Sequence, residues 1–122
     1  MAKAKKHNTT TDPVYAAIEK HKKAMRELHV ALRPVARNNG DRDPKKANKY
    51  GDREWDARDD LAETVPTTLQ GLLTLLTYIN GVTRGELSPS GRPDNAFETS
   101  DNLMDVLAGA EKLLAEQIGR HA

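Results

Sequence analysis

The sequence predicts an all-α fold of four helices in one domain, and three observations lead there. Along residues 14–35, apolar residues recur at alternating steps of four and three, the period of a helical seam rather than of a strand. No stretch alternates apolar and polar residues at period two, as a half-buried strand would. Turn-forming residues gather in two clusters, 38–52 and 81–94, which divide the chain into helix-sized blocks.

The first helix is expected over about 13–37. Asp12 can accept hydrogen bonds from the free amides of a first turn, and Pro13 sacrifices no bond at the first helical position. Its seam is Val14, Ile18, His21, Met25, Leu28, Leu32 and Val35, flanked by Ala17, Ala24 and Ala31 at steps of seven. Pro34 bends or stops it, and Asn38, Asn39 and Gly40 end it. Residues 38–52 read as an exposed loop. A short helix follows over about 53–64, with Trp55, the stem of Arg58, Leu61, Ala62 and Val65 inward, and Pro66 ends it. Thr67 and Gln70 suit a capping box for a helix over about 68–80. That helix carries no charge, which places it at the centre of the fold. The last helix is expected over about 96–119, with Leu103, Val106, Leu107, Ala110, Leu113, Leu114 and Ile118 on its apolar side. Two long helices thus flank two short ones, and residues 12–120 form the domain. Residues 1–11 are polar, basic and aperiodic, and read as a disordered arm.

Composition narrows the function. The 122 residues are 37% hydrophobic and 30% charged, a lean core under a charged surface. No cysteine is present, which excludes disulfides, thiol nucleophiles and cysteine-ligated metals. No apolar run is long enough to span a membrane, and no apolar segment follows the basic start as a secretory signal requires, so a cytoplasmic protein is expected. Charge is uneven. Residues 1–37 carry nine Lys/Arg against three Asp/Glu, a net +6; residues 38–60 carry −1 and residues 61–122 carry −4.

His21 is the one polar residue on the first seam. It reads either as a base or metal ligand, or as a core histidine bonded to the Tyr78 hydroxyl or a main-chain carbonyl. The second reading is preferred, because no second ligand stands at helical spacing: His29 is eight residues away and off the seam. A buried histidine bonded as a neutral group should resist protonation. Asp52, Asp56, Asp59, Asp60 and Glu63 form an acidic strip, read as a solvated face. The two middle helices outline a helix-turn-helix, but the second lacks the exposed cations and amides that read bases. No catalytic residue, cofactor site or metal site is expected.

Two segments, DPVYAAIEKH at 12–21 and PTTLQGLLTLLTY at 66–78, resemble a group of small bacterial all-helical proteins. No activity is attached to that group. The resemblance therefore implies a helical domain and a bacterial cytoplasmic origin, and carries over no catalytic residue.

Three functions follow in order of support. The first is a non-catalytic interaction or self-association module, a two-fold homodimer joined through Ala17, Ala24 and Ala31. The second is an accessory protein that holds a polyanion such as nucleic acid through Lys5, Lys6, Lys22, Lys23 and Arg26 without reading sequence. The third, an enzyme or small-ligand binder, rests only on His21 and Tyr78.

Overall fold

Four helices are connected by turns and loops in a computed structural model that describes residues 11–34 and 40–121: α1 Val14–Ala31, α2 Pro44–Glu63, α3 Leu69–Arg84 and α4 Ser100–His121. Every regular element among the described residues is helical. The arm expected over 1–11 lies outside the described residues except for Thr11, as do residues 35–37 of the expected first helix.

Asp12 starts α1 as the sequence implies, its Oδ1 accepting from the Val14 amide at 3.0 Å. The seam residues Val14, Ile18, His21 and Met25 are buried. The helix closes earlier than its pattern suggests: the Leu32 amide donates to Leu28 O, the Arg33 amide bonds to Val30 O, and Leu32 is exposed.

The loop expected over 38–52 is shorter, because α2 begins at Pro44. The Asp43 carboxylate accepts from the amides of Lys45 and Lys46, with Pro44 in the first turn. The first turns of α2 are polar on every side, so apolar periodicity carries no signal of them. The inner face of α2 also differs. Glu54, Ala57, Leu61 and Ala62 are buried, whereas Trp55 is 51% exposed, its indole lying beneath the Arg58 guanidinium at 4.6 Å.

Thr68, not Thr67, caps α3; its hydroxyl accepts from the Gly71 amide at 2.9 Å, while Gln70 turns toward Thr74. The helix runs past Asn80 and Gly81 because Val82 is fully buried one residue further on, and it ends at Gly85 with φ +91°. A Cβ at that glycine would meet the backbone of Arg92 at 2.6 Å. The following loop is no mere surface link. It lays Ala96 and Phe97 into the core, against Val14, Ile18, Met25, Leu61, Leu75, Tyr78, Ile79, Val82 and Val106.

The central element is α2, not α3. It packs most extensively on α1 and also on α4, whereas α3 packs on α1 and touches α4 only briefly. Small side chains permit the close α1–α2 approach: Ala24 of α1 and Ala57 of α2 are both buried and line one shallow cleft. The most apolar helix leaves Leu69, Leu73 and Leu76 in solvent.

Candidate functional site

Three helices each send one polar side chain into the core, and the three meet. Ile18 and Met25 carry His21 inward on the α1 seam. Its Nδ1 lies 2.6 Å from the Tyr78 hydroxyl of α3 and its Nε2 lies 2.8 Å from Glu54 Oε2 of α2. All three residues are buried. One turn beyond Glu54, Arg58 donates Nε–H to Oε2 at 2.9 Å and Nη2–H to Oε1. Phe97 closes the site from the loop, its ring centroid 5.0 Å from that of His21.

Electrostatics follow from this geometry. Burial alone would raise the Glu54 carboxyl, but hydrogen bonds from His21 and Arg58, with the Arg58 charge, outweigh it and hold Glu54 below the ordinary carboxylate value. Glu54 is therefore an acceptor at neutral pH, so His21 donates through Nε2. Burial, reinforced by the Glu54 charge, pushes the Tyr78 hydroxyl well above its ordinary value, so it keeps its proton. The Tyr78 hydroxyl meets Nδ1 and also lies 3.9 Å from Met25 Sδ.

Every polar end of this chain is engaged, and among the described residues no buried side-chain nitrogen or oxygen lacks a hydrogen-bond partner. Both ring nitrogens of His21 are spoken for, which leaves it no lone pair for a metal. A cleft of about 260 Å³ touches Tyr78 between Lys22, Met25, Arg26, Leu87 and Pro89, but neither His21 nor Glu54 lines it. The arrangement braces three helices against one another.

The expected pair of His21 and Tyr78 is thus brought together. Glu54 escapes the sequence reading, although its i, i+4 relation to Arg58 and its place on the Ala57/Leu61 face were available signals. The acidic strip divides: Asp60 pairs with Lys20 at 3.2 Å and Asp59 accepts from Asn102 at 3.0 Å, so two of its members dock α1 and α4.

Among the described residues, two of the candidate polyanion contacts, Lys22 and Lys23, each have an acidic neighbour. Lys5 and Lys6 lie outside the described residues. Lys22 sits 3.4 Å from Glu19 and Lys23 sits 3.9 Å from Glu27. Arg26 lines a mostly apolar cleft of about 570 Å³ with Val30, Arg33, Lys46 and Tyr50.

The alanine flank requires correction as a self-association face. Ala24 and Ala31 are buried within the chain, and Ala17 packs against the core. Unpartnered apolar surface lies on other helices. On α3, Leu69, Leu73 and Leu76 form a row at i, i+4 and i+7, with Leu73 58% exposed. On α4, Asn102, Val106, Gly109 and Leu113 face inward, and a second row of Leu103, Leu107, Leu114 and Ile118 runs beside them. Leu107 and Ile118 are 67% and 68% exposed. Summed over the two rows, these seven side chains leave on the order of 700 Å² in solvent.

No helix among the described residues is long and apolar enough to cross a membrane, and no group of three acidic or histidine side chains among them is placed to hold a metal ion. Comparison with protein-family models, with curated proteins and with solved structures finds no match to this chain.

Proposed function

We propose that this chain is a non-catalytic helical interaction module that docks through the apolar rows of α3 and α4. One observation carries the reading: seven large aliphatic side chains stand in helical register on two helices, each at least 40% exposed. Surface of that size and chemistry is stabilised by covering it. The closed Tyr78–His21–Glu54–Arg58 chain supports the same reading, since it spends the buried polar groups on holding the scaffold rigid. The likeness of segments 12–21 and 66–78 to small bacterial helical proteins supports a bacterial cytoplasmic setting.

The test is to ask whether the rows serve the monomer. Leu73→Gln and Leu107→Gln should leave the unfolding free energy of the dilute protein within about 0.5 kcal/mol of wild type. Leu75→Ala, in the core, should lose about 2–5 kcal/mol. Losses of core size at Leu73 and Leu107 would mean that the rows belong to the fold and that the module reading is wrong.

A further inference from the structure

We infer that the partner of the α4 row is the same row of a second copy, laid antiparallel across a two-fold axis beside Ala110. This deepens the interaction reading above and rests on it. The row reads the same in both directions. Leu103, Leu107, Leu114 and Ile118 stand at equal steps on either side of the midpoint between Ala110 and Glu111. A two-fold axis through that point sets Leu103 against Ile118 of the partner subunit and Leu107 against Leu114 of the partner subunit. Large side chains then meet large ones throughout. Ala110, the small residue of the row, falls beside the axis, where the two backbones must approach most closely. Glu111 lies at the margin of the row and is exposed, so its carboxylate stays in water.

A two-fold axis doubles one patch against itself and needs no other complementary surface. Direction is decided by charge. A parallel pair would set the two helix dipoles side by side and bring the acidic first turns, with Asp101, to the same end. The antiparallel pair sets each N-terminus beside a C-terminus.

The chain has no cysteine, so introduced thiols report geometry without background. Under mild oxidation Ala110→Cys should form a disulfide dimer almost completely. Ala108→Cys, exposed on another side of α4, should not. Leu103→Cys alone should stay unlinked, because its counterpart would lie about 22 Å away along the helix, whereas Leu103→Cys mixed with Ile118→Cys should link. Light scattering of the unmodified chain should give a dimer, and Leu107→Glu should return it to a monomer of unchanged helicity. Self-linking of Leu103→Cys as efficient as that of Ala110→Cys would overturn the antiparallel register. A monomer at high micromolar concentration would overturn the second copy as partner, while the core-neutral behaviour of Leu73→Gln and Leu107→Gln would still support an interaction module.

Discussion

Glu54 Oε2 lies 2.8 Å from Nε2 of His21, with both side chains removed from water. An acid and a base buried together cost several kcal/mol in desolvation, which is recovered only while every partner is present. Glu54→Ala should therefore destabilise the fold by about 3–5 kcal/mol, since it strands both His21 and Arg58. Tyr78→Phe removes one hydrogen bond and should cost about 1–3 kcal/mol. A double-mutant cycle on His21 and Glu54, followed by urea unfolding, should return a coupling well above the few tenths typical of distant sites.

The same pair makes stability depend on pH with a definite sign. Folding lowers the Glu54 value below its ordinary 4.5, so in that window the unfolded chain binds more protons. The contribution is complete above pH 4.5 and is lost as pH falls through the folded value. Folding raises the Tyr78 value above its ordinary 10.0, so its contribution is complete below pH 10.0 and is lost as pH rises beyond it. Unfolding curves below pH 4.5 should be flatter for Glu54→Gln than for wild type, and those above pH 10.0 flatter for Tyr78→Phe.

Asp12 ties the start of α1 to the start of α3. Its Oδ2 accepts from the amides of Thr67 and Thr68 and from the Thr68 hydroxyl at 2.9–3.0 Å, while Oδ1 accepts from Val14. A Cβ on Gly71 would sit 1.8 Å from that Oδ2, so only glycine fits there. Asp12→Ala should lose about 2 kcal/mol, since a cap alone is worth up to that and the part-buried amides of Thr67 and Thr68 also lose their acceptor. Gly71→Ala should lose a similar amount, despite alanine's better helix propensity, because it expels the carboxylate. Thermal unfolding of the two variants and of the double variant checks this: having lost the same contact, the pair should be less than additive.

Trp55 should contribute far less than its size suggests. It is half exposed and held mainly by its contact with Arg58. Trp55→Ala should cost on the order of 1 kcal/mol, whereas Leu61→Ala, one and a half turns away in the core, should cost about 2–5 kcal/mol. Denaturant midpoints at equal m-value make the comparison.

The all-helical class, the four segments and the inward face of α1 are legible in the sequence because they depend on local chemistry. Seam spacing, proline and glycine punctuation and the capping of an amide by a neighbouring carboxylate all act within a few residues. The meeting of His21 with Tyr78 follows from that seam, since a polar residue among Ile18 and Met25 must find a partner inside. Even a missed boundary had a local sign: Asp43 and Pro44 repeat the signal of Asp12 and Pro13 but precede a turn with no apolar period. Tertiary structure alone decided which available faces were covered. Periodicity states that Leu69, Leu73 and Leu76 share a side, yet it does not supply the helix that would cover them. It groups Trp55 with Leu61 as apolar, yet Glu54 takes the inner position because His21 and Arg58 stand ready to satisfy it there. Burial is a relation between segments far apart in the chain, so the sequence determined the helices and their stripes, and packing determined which stripe became core and which was left as an open surface.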